Sequence, residues 1–157
     1  MRHLLMLLLL LPSGCDSLDS WQAHTMTDQG RVCLYADTEA ASGYWLGDHE
    51  DQSFVPDASV AVGFYPHVCL SSSCSRFANA SCSVSLDGST LTVSGSASYE
   101  QNVSPNVGCT SDCGLLQAVC ETPSLPAGSY TLVFAGMQAS FEVPSTDTVC
   151  LNTPLGD

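Results

Sequence analysis

The sequence predicts an all-β fold, a disulfide-rich antiparallel β-sandwich. Short apolar runs alternate with polar residues after residue 31, and Gly, Pro, Ser and Asp separate these runs. No window has the 3.6-residue apolar period of an amphipathic helix. Nine cysteines in 157 residues are typical of an exported domain that disulfides cross-link.

The chain begins with the features of a secretory signal. Arg2 lies in a short basic start, and an apolar run, Leu4 to Leu11, follows it. This run is too short to cross a membrane, because a spanning helix needs roughly 20 apolar residues. We therefore expect residues 1–14 to be a signal peptide that is removed.

The end of that run, Leu11-Pro12-Ser13-Gly14-Cys15, resembles the lipobox of bacterial lipoproteins. In that family the Cys thiol receives a diacylglyceryl group, the chain is cut just before it, and the new amino terminus is acylated. Ser13 and Gly14 match the small residues of the pattern, whereas Pro12 stands where Leu is usual. The resemblance implies lipidation of Cys15 and anchorage to the inner or outer membrane. The alternative is an ordinary signal peptide that leaves Cys15 as a plain thiol.

The cysteine count bears on this choice, because an odd number in an exported chain leaves one thiol unpaired. If Cys15 carries lipid, eight cysteines remain for four disulfides: Cys33, Cys69, Cys74, Cys82, Cys109, Cys113, Cys120 and Cys150. We expect the six between residues 69 and 120 to pair among themselves, which leaves Cys33 for Cys150. Their spacing lacks the paired CxxC of a zinc ribbon, and we predict no metal site and no cofactor.

Charge excludes some partners. After loss of the leader the chain keeps two basic residues, Arg31 and Arg76, against 16 acidic residues, a formal charge of −14 without any lysine. Nucleic-acid binding and polybasic attraction to anionic lipid both need clustered Lys and Arg. We exclude both classes of partner.

The predicted organisation after the leader has two parts. Residues 15–30 comprise the lipidated cysteine and a polar, flexible tether, in which Trp21 and Met26 dock on the domain or on the lipid interface. Residues 31–157 form the β-sandwich domain.

Strands are predicted in order along this domain. Arg31 to Tyr35 is a short strand, and Ser59 to Tyr65 alternates in polarity. Residues 81–95 form a hairpin with Asp87-Gly88 as its two-residue turn, which sets Val84 opposite Leu91. Its apolar residues then share one face, and Ser83, Ser85, Thr90, Thr92 and Ser94 share the other. Further candidates lie at 97–101 and 115–120.

A second hairpin spans residues 128–143, with an apolar face that includes Tyr130. Its turn is either the two residues Ala135-Gly136 or a four-residue loop, and both give the same face. The segment "LPAGSYTLVF", residues 125–134, resembles the tyrosine corner of immunoglobulin-like sandwiches. In that corner a Tyr after a Pro/Gly turn bonds its hydroxyl to the preceding backbone. The resemblance implies an immunoglobulin-like fold and a structural role for Tyr130.

One loop, residues 42–54, combines aromatic side chains with metal- or ligand-binding groups. Exposed aromatic rings stack on sugars, and carboxylates and imidazole bind polar ligands; the candidate residues are Tyr44, Trp45, Asp48, His49, Glu50 and Asp51. The competing interpretation is a solvated acidic loop whose aromatic residues pack on the sandwich.

No nucleophile elbow, HExxH motif or phosphate-binding loop occurs, and we predict no catalytic residues. The expected protein resembles the small, cysteine-rich bacterial envelope lipoproteins of unknown function. We expect a non-enzymatic binding, adhesion or structural role, with an envelope protein or carbohydrate as partner. A carbohydrate or small-ligand module centred on Tyr44 and Trp45 is the second hypothesis. A secreted hydrolase that uses His49 or His67 is the third.

Overall fold

The computed structural model describes residues 19–42 and 53–154. Cys15 and the six candidate ligand-binding residues of the 42–54 loop lie outside the described residues. The described elements, in chain order, are β1 Trp21–Thr27, β2 Arg31–Tyr35, α1 Thr38–Ser42, β3 Ala61–Tyr65, β4 Cys69–Leu70, β5 Ser75–Asp87, β6 Thr90–Asn102, β7 Gly114–Leu115, β8 Ala118–Glu121, β9 Gly128–Phe134, β10 Met137–Val143 and β11 Cys150–Asn152. The prediction of an all-β, disulfide-rich fold is confirmed.

Most strands belong to two sheets. The first sheet has five strands, in which β5 pairs with one edge of β6. Two strands share the other edge of β6: β9 pairs with the start of β6, and β1 pairs with its end. β10 then pairs with β9. The second sheet is antiparallel, in the order β11-β2-β3-β8, and β4 and β7 form a separate short pair.

The prediction of a wholly antiparallel sandwich is wrong at one pair of strands. β6 and β9 are parallel, with Thr90 opposite Thr131 and Val93 opposite Phe134. The chain leaves the second sheet after β8 and crosses to the first sheet before β9, so no tight hairpin connects β9 to β6. Without that constraint the parallel direction is open to β9, and β9 adopts it beside β6.

The core lies between the two sheets. It contains the largest fully buried side chains except Tyr35, and two edge-to-face aromatic pairs, Phe64 with Phe134 and Phe54 with Phe141, lie within it. Aliphatic residues from both sheets fill the space around these rings: Val32, Leu34, Val60, Val62, Leu91, Val93, Leu125 and Leu132. This layer accounts for the alternating burial along most of β5, β6 and β9, whose inward residues are buried or half-buried.

β2 and β3 are buried on both faces instead. On the side away from the core, a second cluster contains Cys33, Tyr35, Ala61 and Tyr65, which α1 covers through Ala41. The Tyr65 hydroxyl donates to the Ala41 carbonyl at 2.5 Å. Asp37 begins this single helical turn, because its Oδ1 accepts from the Ala40 amide at 2.8 Å. No helix within residues 19–42 and 53–154 has the length and apolarity to cross a membrane.

The β5–β6 hairpin has the predicted faces but a different turn. Asp87 pairs with Thr90 and Val84 with Val93, so the loop is Gly88-Ser89 and not Asp87-Gly88. Positive φ occurs at Gly88 alone, at 58°, as in a type II′ turn. The turn moves by one residue and the pairing therefore shifts by two, which preserves side-chain parity. In the β9–β10 hairpin the two-residue turn is observed, with Ala135 and Gly136 at φ of 51° and 79°.

The predicted flexible tether is wrong for the segment Trp21–Thr27. This segment is β1, and it pairs antiparallel with residues 96–102 of β6. β9 ends its pairing with β6 at Val93, so the remainder of that edge offers free backbone groups, and β1 satisfies them. Met26 packs against a small cluster that includes Ala97 and Leu116. The predicted docking of Met26 on the domain is confirmed.

The eight cysteines form four disulfides, as predicted: Cys33–Cys150, Cys69–Cys113, Cys74–Cys109 and Cys82–Cys120. The first joins directly opposed residues of β2 and β11 and clamps the two ends of the domain. The fourth joins β5 to β8 and therefore connects the two sheets. The other two attach the long loop after β6 to β4 and to the residue before β5.

The predicted tyrosine corner is confirmed. The Tyr130 hydroxyl donates to the Pro126 carbonyl at 2.8 Å, across four residues of chain. Its ring stacks on Phe141 with centroids 5.5 Å apart. Tyr130 therefore has a structural role at the start of β9.

Candidate functional site

The outer face of β5 and β6 is an array of uncharged polar side chains, nearly all of them hydroxyls, which we call the hydroxyl face. Four cross-strand pairs build it: Asn79 with Ser98, Ser81 with Ser96, Ser83 with Ser94, and Ser85 with Thr92. β1 extends the array, since Thr25 lies opposite Ser98 and Thr27 opposite Ser96. Seven of the eight side chains in the four β5–β6 pairs are exposed, and Ser98 is half-buried.

The local sequence places these residues together because its polarity alternates with a period of two. Their chain neighbours on β5, Cys82, Val84 and Leu86, pack against the core. On β6, Leu91 and Val93 are buried between them in the same way. Every second residue must therefore point to solvent, and in this hairpin nearly all of those are Ser or Thr.

The geometry of the hydroxyl face follows from sheet dimensions. Neighbouring strands lie about 4.8 Å apart, and same-face residues along a strand lie about 6.7 Å apart. Ser81 Oγ and Ser96 Oγ are 2.8 Å apart and share a hydrogen bond. Ser83 and Ser94 have no side-chain hydrogen bond to any described residue, so solvent or a ligand meets their hydroxyls. Such hydroxyls both donate and accept.

The hydroxyl face carries no charge along most of its length. Asp87 lies at its turn end, and an ion pair, Arg76 Nε to Glu100 Oε2 at 2.7 Å, lies at the opposite end. Between them, the outward residues of β5 and β6 are Asn, Ser and Thr. An uncharged surface of this size stands out in a chain whose acidic residues outnumber its basic ones, 16 to three.

An aromatic group adjoins the ion pair, and we call Trp21, Arg76, Phe77 and Glu100 the aromatic cluster. The Arg76 guanidinium lies 3.9 Å from the Trp21 ring centroid and 4.9 Å from that of Phe77. The β5 ladder has a register shift between Arg76 and Asn79, and Phe77 within it adopts a φ of 52°. This bulge turns Phe77 outward, and its side chain is 74% exposed.

Both histidines of the described residues, His24 and His67, line one cavity of about 340 Å³, together with Tyr99 and Met26. His24 stacks on Tyr99, with ring centroids 4.8 Å apart, and its buried Nε2 has no hydrogen-bond partner among the described residues. His67 Nε2 lies 3.1 Å from the Thr153 carbonyl. Because a carbonyl only accepts, this nitrogen carries the hydrogen, and His67 holds the segment after β11. His49, the other histidine of the hydrolase hypothesis, lies outside the described residues.

Asp112 is at the centre of a polar group on the loop after β6. Hydrogen bonds from the Thr110 hydroxyl and from Ser72 hold the pKa of the Asp112 carboxyl below its usual value of 3.8, because they stabilise the carboxylate. The Ser72 amide lies 3.2 Å from Oδ2. The loop is thus attached to the residues before β5 by this carboxylate as well as by two disulfides.

The sequence-based interpretation identified the Ser and Thr residues only as the solvent side of a hairpin. The sequence did contain a pattern that could have marked them as a site: the eight outward positions of the four β5–β6 pairs carry no charged residue. The aromatic cluster was missed for a different reason. Phe77 is exposed because of a bulge, and no residue pattern at 75–79 announces one.

The described structure thus defines the class as an all-β, disulfide-linked sandwich domain with one uncharged hydroxyl face. No protein-family model, no curated protein and no solved structure matches the chain.

Proposed function

We propose that this protein is a lipoprotein of a bacterial cell envelope, anchored by lipid on Cys15, with a non-enzymatic binding role. The observation that carries the anchorage is the disulfide pairing. Four disulfides use every cysteine except Cys15. An exported protein with one cysteine outside its disulfides needs a use for that thiol, and the lipobox-like sequence around Cys15 supplies one.

The start of β1 supports a short connection to the membrane. Trp21 already pairs with Asn102, so the chain between Cys15 and the domain is brief. The disulfides and the two buried faces of the second sheet give a rigid domain at that position. A rigid domain held near a membrane suits binding or structural support at the envelope.

The hydroxyl face is the surface we assign to binding, and its ligand class is a neutral, hydroxyl-rich polysaccharide. Sugar hydroxyls donate and accept as serine hydroxyls do, and an array of both makes many paired contacts without desolvating a charge. The chain's net negative charge repels acidic polymers, so a neutral polymer is the favoured ligand. This assignment moves the carbohydrate hypothesis from Tyr44 and Trp45 to residues of β5 and β6.

Mass spectrometry of the mature, membrane-extracted protein tests the anchor. We expect an N-terminal, acylated Cys15 and eight oxidised cysteines, and we expect Cys15→Ala to release the protein from the membrane fraction. A soluble product with a free Cys15 thiol would contradict the proposal.

Co-sedimentation with insoluble chitin, a neutral polysaccharide, tests the surface. Ser83→Glu and Ser94→Glu each place a charge at the centre of the hydroxyl face, and each should weaken binding about tenfold, ~1.4 kcal/mol. Ser124→Glu adds the same charge at an exposed loop position and serves as the control. Equal binding by all three variants would rule out this face as the polysaccharide site.

A further inference from the structure

We propose that the end of the domain that carries Trp21 and Phe77 docks on the lipid surface beside the anchor, with Phe77 inserted at the interface. This proposal rests on the proposed lipidation of Cys15. It adds a second attachment that would set the orientation of the domain on the membrane.

The exposed apolar side chains of the described residues are unevenly distributed. Four large ones are exposed: Phe77 at 74%, Val55 at 52%, Val103 at 47% and Val107 at 39%. Val55 follows Phe54, which forms a β-bridge with Ser145 just after the end of β10. The other three lie at the opposite end of the first sheet, where β5 starts and β6 ends. Single exposed apolar residues are ordinary, but three at one end of a domain indicate an interaction surface.

Hydrogen bonds and ring contacts bring this end together. The Val103 amide donates to the Ser20 carbonyl at 2.8 Å, and Trp21 lies opposite Asn102. The Arg76 guanidinium contacts the rings of both Trp21 and Phe77. Phe77 and Val103 therefore both neighbour Trp21, on the strand that leads from the anchor.

The short chain between Cys15 and Ser20 indicates that the partner of this apolar end is the lipid surface. Ser20 is five residues after Cys15, and a fully extended chain spans ~3.4 Å per residue, so the two are at most about 17 Å apart. The acyl chains on Cys15 lie in the bilayer. The end of the sheet at Ser20 is therefore held within that distance of the membrane, whereas the far end of β6 lies about 40 Å further along the strand.

The chemistry of this end suits the bilayer interface. Trp side chains favour the headgroup level, because the ring leaves water while its N–H stays hydrated. The apolar phenyl ring of Phe77 gains free energy by leaving water. Glu100, the acidic member of the aromatic cluster, is neutralised by Arg76. Asp19 and Asp112 are exposed at the same end and carry no such counter-charge among the described residues. We therefore expect docking on zwitterionic lipid, weakened by anionic lipid.

Fluorescence quenching in vesicles tests the docking. The mature acylated protein with Trp45→Phe retains Trp21 as its single tryptophan. In phosphatidylcholine vesicles with bromine near the start of the acyl chains, Trp21 should be quenched, and added phosphatidylglycerol should reduce the quenching. Phe77→Ser should lower the ratio of docked to undocked domain at least about tenfold. Val55→Ser, at the far end of the domain, is the matched control and should leave quenching unchanged.

The outcomes separate this proposal from the one on which it rests. If Phe77→Ser floats with vesicles and is quenched as strongly as the parent protein, the docking proposal is overturned while the anchor stands. A parent protein that fails to float and has a free Cys15 thiol overturns the anchor instead. If Phe77→Ser loses quenching because it dissociates a dimer of the protein, the surface binds a second copy of the chain, and lipid docking is overturned. Thermal unfolding of each variant verifies that the fold is intact.

Discussion

Asp28 and Gly95 are joined by two hydrogen bonds at the point where β6 changes its partner strand. The Asp28 amide donates to the Gly95 carbonyl at 2.8 Å, and the Gly95 amide donates to Asp28 Oδ1 at 2.8 Å. Val93 is the last residue of β6 that pairs with β9, and Ser96 is the first that pairs with β1. The Asp28 side chain thus satisfies a backbone group that neither neighbouring strand reaches.

Gly95 is also required by packing. A Cβ added at this position would lie 2.7 Å from two ring atoms of Phe64, a fully buried residue of the opposite sheet. We expect Gly95→Ala to lower the free energy of unfolding by about 1–3 kcal/mol, because the Phe64 ring cannot move without disturbing the core. Urea unfolding measures this change. Gly108→Ala, where an added Cβ meets nothing within 4 Å, is the control and should be close to neutral.

The hydroxyl group of Tyr130 should contribute measurably to stability. Tyr130→Phe keeps the ring against Phe141 and removes only the hydrogen bond to the Pro126 carbonyl. We expect a loss of about 0.5–1.5 kcal/mol in the free energy of unfolding, measured by chemical denaturation with disulfides intact. An unchanged denaturation midpoint would show that the corner hydrogen bond adds no net stability.

The disulfide that connects the two sheets should matter more than one at the surface. Cys82→Ala with Cys120→Ala removes a bridge that packs against the core, and we expect a loss of about 2–4 kcal/mol. Cys69→Ala with Cys113→Ala is the comparison, because its bridge spans a similar 44 residues but both cysteines are exposed. Loop-closure entropy is therefore similar, and the difference should reflect packing. Thermal unfolding that ranks the two double variants in the reverse order would contradict this.

The hydrogen bonds to Asp112 predict a specific pH dependence. Its folded pKa is lower than the usual 3.8, so its contribution to stability is present above that value and is lost as pH falls through the folded pKa. An NMR titration of the carboxyl group measures this pKa directly. Thr110→Val should raise it toward 3.8, because the largest stabilising hydrogen bond is removed. Thr92→Val, at the opposite end of the first sheet, should leave it unchanged.

Much of the fold could be predicted because it depends on local periodicity. The faces of both long hairpins follow from alternation, and parity protected them when the β5–β6 turn proved to be Gly88-Ser89. The Cys33–Cys150 bridge could be predicted from the clustering of the other six cysteines. Tyr130 could be placed because the corner is a ten-residue motif. The immunoglobulin-like assignment rests on that corner.

The functional surfaces were less accessible to sequence reasoning. Polar residues at 16–30 resemble a tether, and only the free edge of β6 makes Trp21–Thr27 a strand. The aromatic cluster depends on contacts between β1 and β5, which are separated by about 50 residues of chain, and on the bulge at Phe77.

The sequence by itself determined the cysteine parity that singles out Cys15, the all-β class and the inward and outward faces of each long hairpin. These depend on composition and on a period of two, which each segment carries alone. Tertiary structure alone decided the parallel pairing of β6 with β9, the recruitment of β1 and the outward position of Phe77. The first two depend on which backbone edge remains unpaired after the other strands have packed. The third depends on the bulge in the β5–β6 ladder. No single segment holds that information.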